Sequence, residues 1–541
     1  MLQTAAVIGK EFGEPVLRRV EGLPEAELAA ALHALAQAEL VYETALYPEA
    51  EYAFKHPLTQ EVAYGSQLGD RRKRVHAAVA RSIKATSAEK LDEQAALLAQ
   101  HWERAGEALV AANWLARAAE WAGARDRKAM NRHWARVRAL LADVPESAET
   151  RALGVVARTH MIHNAVFLGD TGVDTAVLFA EGMALAARLE GPAPRVFLLS
   201  EYGAAQADAG GQMHEGLAHL SEGVALADRS GDPFLRFMAR TPYSIYLAVA
   251  GRLQEAVRIQ AEVEALCGGD PDLGAEITGF SPYCSDLAQH GLTMAWLGRP
   301  MDGVEVIERA IEIARRRRDV EASAYAHTMA SAVCELLGDG GSALRQARQA
   351  VEMAEASGTP GWRAFAQGYL AWAHEVAGQW AEASEAAESA LAIVRTRHVG
   401  LWQEPDCLAV LARAHLGSGA PARALEAAEE AVARARERGT RPFEIRGLLA
   451  RAHVLTATEG APARSRIEAD LRDATAVIEA TEARVFTPQV HVERAALARV
   501  LGDEATRQRE LREAHRLFTD MGATARAEQV ARELSTVSKT G

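Results

Sequence analysis

Glycines recur about every forty residues through most of this chain of 541 residues. The recurring glycines are Gly169, Gly211, Gly251, Gly298, Gly338, Gly378, Gly419, Gly460 and Gly502. Each lies between two segments with helical periodicity, so the spacing predicts a repeated pair of helices joined by a short turn. A glycine at the turn permits the backbone conformation that ends the first helix. Such a repeat builds an array, which suits a chain that exceeds the usual size of one core.

Small residues recur at fixed distances from these glycines. Seven positions before the glycine come Ala204, Ser244, Gly291, Ser331, Ala371, Ala412 and Ala495. Five positions after it come Gly216, Ala256, Gly303, Ala343, Ala383 and Ala424, and twelve after it come Gly223, Ala310, Ala350, Ala390, Ala431 and Ala514. Small side chains there let antiparallel helices approach closely, and an irregular bundle would not keep the spacing for so long.

The pattern resembles the tetratricopeptide repeat, although the unit is about 40 residues long against the usual 34. It implies an all-α, right-handed superhelical solenoid of about nine helix pairs with a C-terminal cap, over residues 146–541. The spacing slips between Gly251 and Gly298, where CGGDPDLGAEITGFSPYC has the composition of a loop outside the stack. That loop either contacts a ligand or is an inert insertion.

Residues 1–85 follow a different pattern from the array. The runs VYET and EYAF predict two short strands around a Pro-containing turn, and Pro57 then favours the start of a new helix. Helices before a two-stranded wing predict a small winged-helix domain. Three helices, at 91–106, 107–125 and 128–141, are predicted to connect it to the array across residues 86–145.

Four segments of the opening domain resemble one bacterial family: TAAVIGKEF, LVYE, EYAFKHPLTQEVAYGS and RRKRVHAAVARSI. They are similar to the region that follows the nucleotide-binding module of STAND-class ATPases, especially those fused to class III adenylate/guanylate cyclases. The closing HRLFTDMGATARAEQVAREL resembles the end of such proteins. The similarity covers the whole sequence but only the C-terminal half of the family's architecture. It implies a nucleotide-binding module in cis or in trans, and a truncated gene model is one explanation.

The same resemblance assigns a role to His56. In related STAND proteins a winged-helix histidine in an FKH step approaches the phosphates of the bound nucleotide and helps to hold the resting state. An imidazole suits this role because it can donate a hydrogen bond to phosphate near neutral pH. The alternative is that His56 only caps or packs where the wing meets the next helix.

Catalytic motifs are missing from the sequence. The segment AVIGKEF contains Gly9 and Lys10 but has Glu11 where a phosphate-binding loop needs Ser or Thr. The predicted helical chain offers no sheet for the paired metal-binding aspartates of a cyclase, and its four cysteines show no metal-binding spacing. We therefore predict no enzymatic activity, no cofactor and no metal site, although relatives of full length carry cyclase and ATPase activity.

Charge and hydrophobicity narrow the choice of partners. The net charge of −13 disfavours a phosphate backbone unless basic residues cluster. The run RRKR at 71–74 is such a cluster, but residues 1–85 hold about as many acidic as basic groups, so DNA binding is a secondary alternative. No apolar run reaches the 18 or more residues of a membrane span, and we expect a cytoplasmic protein.

The repeat array offers the candidate binding surface. In tetratricopeptide superhelices the first helix of each pair lines the concave groove. Counting from the glycines places six candidate partner-binding residues there: Tyr325, Glu335, Phe365, Trp372, Glu375 and Arg413. Aromatic anchors flanked by charges suit a protein or peptide partner, or a small effector, although each aromatic residue could instead serve packing.

Together these observations predict a non-catalytic sensor and interaction module of a STAND-type signalling ATPase or adenylate cyclase system. A stand-alone interaction scaffold and a DNA-binding transcriptional regulator are the alternatives.

Overall fold

The computed structural model describes residues 1–45, 49–86, 88–169, 172–208 and 211–537. The chain divides into two compact units, Met1–Arg158 and Thr159–Gly541. None of the described helices combines the length and the hydrophobicity that crossing a lipid bilayer requires.

The first unit opens with short helices around a small antiparallel sheet. Its elements are α1 (Leu2–Ile8), β1 (Glu11–Gly13), α2 (Glu14–Glu21), α3 (Glu25–Gln37), β2 (Val41–Ala45), β3 (Glu51–Phe54), α4 (Pro57–Gly65) and α5 (Gly69–Thr86). The sheet order is β1-β3-β2. This order of elements fits the winged-helix-like region that the sequence predicts, with β2 and β3 at the two expected runs. The predicted turn between them includes residues 46–48, which lie outside the described part.

The sheet and helices of this region share an apolar core. Phe12 of β1 stacks on Tyr52 of β3, with ring centroids 5.9 Å apart, and Val41 of β2 lies opposite Phe54. Leu17 and Leu28 are fully buried beneath them. Pro57 occupies the first turn of α4, where its missing N–H has no helical partner to lose.

Three helices follow, close to the predicted bounds: α6 (Ala95–Ala105), α7 (Ala108–Ala122) and α8 (Arg127–Leu141). Gly106 ends α6 with a left-handed φ of 85°. Asp126 caps α8 by accepting a hydrogen bond of 2.8 Å from the backbone N–H of Ala129. Both ends are therefore set by local residue chemistry.

The remaining described helices are consecutive pairs and one final helix. The pairs are α9 (Ala148–Leu168) and α10 (Thr175–Ala186), α11 (Ala193–Asp208) and α12 (Met213–Ser230), α13 (Pro233–Val249) and α14 (Leu253–Cys267), α16 (Pro282–Trp296) and α17 (Pro300–Arg317), α18 (Val320–Leu337) and α19 (Gly340–Ser357), α20 (Pro360–Val376) and α21 (Trp380–Arg397), α22 (Glu404–Gly417) and α23 (Pro421–Arg438), α24 (Arg441–Thr458) and α25 (Arg464–Thr481), and α26 (Thr487–Leu501) and α27 (Glu504–Asp520). The one-turn helix α15 (Ala275–Thr278) interrupts the series, and α28 (Thr524–Val537) ends it. The chain thus folds as an all-α, tetratricopeptide-like solenoid, which confirms the predicted fold class.

The small residues act as the sequence predicts. Gly291 and Gly303 face each other so closely that a Cβ added to Gly291 would lie 2.5 Å from the carbonyl oxygen of Gly303. In the next pair, the Ser331 hydroxyl donates to the carbonyl of Ala343 over 3.1 Å. All nine turn glycines have left-handed φ angles between 61° and 90°. Helix pairs can pack this closely only because no larger side chain separates them.

The second unit is wound tightly enough for distant repeats to meet. The first helices of successive pairs contact one another in chain order, for example α16 with α18 and α18 with α20. Asp208, at the end of α11, accepts a 2.7 Å hydrogen bond from the backbone N–H of Gly400, five pairs further on. Arg526 of α28 likewise lies 3.6 Å from Glu335 of α18. The concave side of the array is therefore narrow, and its open space is divided into separate cavities.

Candidate functional site

The first cavity on the inner side of the array has seven aromatic residues in its wall. It has a volume of about 160 Å³, and we call it the aromatic cavity. Its aromatic lining residues are Phe167, Tyr246, Phe280, Tyr325, Trp362, Phe365 and Trp402. Tyr325 stacks on Phe365 at 5.4 Å, and the Phe280 and Trp362 rings meet edge to face at 6.0 Å. The rings hold one another in place, so the cavity is preformed.

One buried carboxylate on the wall of the aromatic cavity has only neutral hydrogen-bond donors. Asp208 accepts from the N–H of Gly400, from the indole N–H of Trp402 at 2.8 Å and from the hydroxyl of Tyr246 at 3.3 Å. Burial raises the pKa of Asp208 to about 6, although these three donors oppose the shift. Among the described residues, no cationic side chain forms an ion pair with it.

A second carboxylate on the same wall already has a partner. Glu201 lies 2.8 Å from Nδ1 of His163, and Nε2 of His163 is 3.2 Å from the carbonyl oxygen of Thr278. Thr278 and Phe280 both belong to the segment that interrupts the glycine spacing. This segment therefore forms part of the cavity wall.

The second cavity lies further along the inner side and is lined by paired charges. It has a volume of about 250 Å³, and we call it the charged cavity. The Arg446 guanidinium lies 2.5 Å from Glu335 and 3.4 Å from Asp406, and its central carbon stands 4.2 Å above the ring of Trp372. A cation between two carboxylates and over an indole face is held by charge and by cation–π attraction together.

Two further ion pairs line the charged cavity. Arg413 donates to Glu375 over 2.6 Å, and His453 lies 3.0 Å from Glu493. Burial by itself would raise the pKa of Glu375, but the charges of Arg413, Arg526 and His453, together with the hydrogen bond from Arg413, outweigh burial and hold that pKa below its usual value. Asp406 behaves differently, because burial raises its pKa to about 6 despite the nearby Arg446. The pairs offer both signs of charge to an incoming group.

All six predicted groove residues line one of the two cavities. Tyr325 and Phe365 belong to the aromatic cavity, while Glu335, Trp372, Glu375 and Arg413 belong to the charged cavity. Each stands on the first helix of its pair, as expected from the glycine spacing. Whether these residues contact a partner stays a prediction.

Other lining residues were not predicted. Asp208, Trp402 and Arg446 also line the cavities, where segments far apart in the chain meet. The position of Trp362 could have been inferred from the sequence. Pro360 marks the first turn of an inner helix, and Trp362 lies in that same turn. Trp402 follows Gly400 in the short turn before α22, and the repeat spacing gives no information about that position.

The structure places His56 at the start of α4, between the wing and the helix. Its side chain is exposed and makes no capping hydrogen bond. Beside it, Lys55 bonds Glu39 over 2.8 Å and lowers the pKa of that carboxylate, with a smaller contribution from His56. The His56 side chain therefore does not cap α4 by a hydrogen bond. The approach of His56 to a nucleotide stays a prediction. No cluster of three metal-binding side chains occurs among the described residues.

No protein-family model and no curated protein matches the sequence. Solved structures of similar fold include a Rap protein, a STAND protein and an APC/C assembly. A Rap protein complexed with Competence and Sporulation Factor has a TM-score of 0.40 at 11% identity, covering 80% of this chain and 98% of that one. A STAND protein with a tetratricopeptide repeat sensor from Pyrococcus horikoshii has a TM-score of 0.40 at 13% identity, and the match covers 88% of this chain and 62% of that protein.

The third structure is the APC/C hetero-tetramer Cut9-Hcn1, with a TM-score of 0.46 at 10% identity, covering 93% of this chain and 88% of that one. All three TM-scores lie below 0.5. The description of the fold therefore depends on the helix pairs themselves.

Proposed function

We propose that this chain is a cytoplasmic, non-catalytic sensor module of a STAND-type signalling ATPase or adenylate cyclase system. In this proposal the repeat array binds a protein, peptide or small ligand on its inner side. The winged-helix-like region passes the bound state to a nucleotide-binding module, in cis or in trans. The single observation that carries the proposal is the pair of preformed cavities on the inner side, lined by buried aromatic and charged side chains.

Energetics support a binding role for these cavities. Buried ions such as Arg446 and Glu375 cost desolvation energy, and a packed apolar interior would provide the same or greater stability. Polar groups that face a cavity can exchange their partners for those of a ligand, which gives specificity. The position of His56, exposed at the helix start, supports contact with a further module.

The DNA directly upstream of the coding region gives the first test. We expect it to encode a P-loop module, either in frame or in an adjacent gene. The chain and that module, purified together, should retain ADP, and His56→Ala should release ADP at least five times faster. His33→Ala is the matched control, because His33 is another exposed histidine of the same region.

Two outcomes would overturn the proposal. If the upstream DNA encodes no P-loop module, the chain acts as a stand-alone interaction scaffold. If ADP release is the same for both histidine variants, His56 does not sense the nucleotide. The purified chain alone should form no cyclic nucleotide from ATP.

DNA binding has less support from the residues. In a winged helix the second helix of the helix-turn-helix enters the major groove, and here that helix is α3. It contains Glu25 and Glu27 but no Lys or Arg. A DNA-binding regulator would instead show salt-dependent duplex binding that weakens when Arg71, Arg72 and Arg74 are neutralised.

A further inference from the structure

The aromatic cavity is large enough for a ring-sized organic group. An engineered cavity of about 150 Å³ in another protein binds benzene, and this one measures about 160 Å³. Tyr325, Trp362 and Phe365 are each at least nine-tenths buried, so a group in the cavity would leave bulk water. Size and apolarity alone do not decide whether the ligand is neutral or charged.

Charge decides between these possibilities. Two carboxylates, Asp208 and Glu201, line the aromatic cavity, and no Lys or Arg does so within the described ranges. Glu201 is engaged with His163 at 2.8 Å. Asp208 is left with neutral donors only, and burying a carboxylate without a cation is unfavourable. The uncompensated negative charge of the cavity wall therefore lies at Asp208.

The rings favour the same sign of charge. The face of an aromatic ring carries the negative part of its quadrupole and attracts ammonium groups when they are shielded from water. Seven rings surround this cavity, among them Trp362 and Trp402, whose indole faces give the strongest attraction of this kind. An anion in the cavity would be repelled by Asp208.

We propose that the aromatic cavity binds a small organic cation, with its ammonium group beside Asp208 and its apolar body against the rings. This assignment deepens the proposed ligand-binding role of the array and rests on it. In the charged cavity, by contrast, the buried Glu375 and Glu335 each already have an arginine partner, Arg413 and Arg446.

Three probes of matched size test the sign of the charge on the full-length chain. They are phenethylamine, 2-phenylethanol and phenylacetate, which at pH 7 are a cation, a neutral molecule and an anion. Isothermal titration should show phenethylamine binding at least ten times more tightly than 2-phenylethanol, with phenylacetate weakest. Hydrogen exchange should slow in α13 and α20, which line the cavity, and stay unchanged in α3.

Three variants test which carboxylate causes the preference for the amine. Asp208→Asn should reduce the preference for the amine over the alcohol to threefold or less and leave binding of the alcohol unchanged. Glu201→Gln should reduce the preference less, because Glu201 has a partner in His163. Glu308→Gln, at an exposed carboxylate of α17, is the control and should change nothing.

The proposal is overturned if the alcohol or the acid binds as tightly as the amine, or if none of the three binds to the wild-type chain. It is also overturned if folded Asp208→Asn keeps the full preference. If that variant does not fold, the order of the three probes on the wild-type chain still decides. Upstream DNA without a P-loop module would remove the proposed switch function but leave a measured preference for cations intact.

Discussion

Individual buried ionisable side chains in this molecule include charged groups with partners and histidines that stay neutral. Arg446 has two carboxylate partners and an indole face, so its charge is compensated. His76 and His101 in the first unit have no such compensation, because their Nδ1 atoms face each other at 3.0 Å. Burial, together with each other's charge and that of nearby arginines, lowers the pKa of His76 to about 3. Burial and Arg104 lower that of His101 to about 4.

This pair predicts a loss of stability in mild acid. Both histidines are neutral when folded and would take up a proton near pH 6.5 when unfolded. Their contribution to the free energy of unfolding is complete above pH 6.5 and is lost as the pH falls toward 4. At pH 5 the loss should be on the order of 2 kcal/mol for each histidine.

Hydrogen exchange of α5 and α6 at pH 7.5 and pH 5, corrected for intrinsic exchange, measures this loss. His101→Gln should remove about half of the pH dependence, because glutamine stays neutral throughout. His33→Gln changes an exposed histidine and should leave the dependence intact. Equal protection of the wild-type helices at both pH values would contradict the prediction.

Helix pairs depend on the close approach of their small residues. In the pair α16 and α17, Gly291 and Gly303 bring two backbones together, with Ile307 closing the contact. Glycine in the middle of a helix disfavours that helix by about 1 kcal/mol relative to alanine. Glycine is nevertheless needed at both positions, because the two helices could not otherwise pack at this distance.

Gly291→Ala should therefore destabilise the array although alanine is the better helix former. Its Cβ would lie 2.5 Å from the carbonyl oxygen of Gly303, and relieving that overlap should cost about 1–3 kcal/mol. Gly341→Ala in α19 is the matched control, because the nearest atom to its Cβ would be 3.5 Å away. Thermal unfolding followed by circular dichroism should show a lower midpoint for Gly291→Ala alone. Equal midpoints for the two variants would show that this contact is not limiting.

At the scale of the second unit, the contacts between repeats far apart in sequence give the array its closed inner side. They include the Asp208–Gly400 hydrogen bond and the Arg526–Glu335 pair. Turn glycines contribute to the same contacts. Gly169 lies against the backbone of Arg397, whereas Gly419 has no atom within 4 Å of an added Cβ.

Alanine variants of these two glycines distinguish the cost of local backbone strain from the cost of disturbed packing between distant repeats. Their φ angles are 79° and 77°, so alanine at either site should cost a similar left-handed penalty of about 1–2 kcal/mol. Gly169→Ala should cost about 1–3 kcal/mol more, because its Cβ would collide with the carbonyl of Arg397. Small-angle scattering should show a larger radius of gyration for Gly169→Ala only. The same loss of stability and the same radius for both variants would mean that this contact does not hold the repeats together.

The periodic part of the fold was predictable because its causes are local. A glycine such as Gly338 ends a helix by its own conformational freedom, and Ser331 and Ala343 meet across a turn of two residues. The strand β1 was not predicted. It is three residues long, and its pairing with β3 across about forty residues, rather than its own composition, makes it a strand.

By itself the sequence determined the helix pairs and their order, and its resemblance to tetratricopeptide repeats indicated which helix of each pair faces inward. Six inward residues could be named for this reason, and all six line a cavity. Only the tertiary structure decided that the inner side forms two chemically different cavities. The winding of the array is the sum of small rotations between neighbouring pairs, and no single repeat encodes it. That sum brings Asp208 to Trp402 and Arg446 to Glu335, across 194 and 111 residues of sequence.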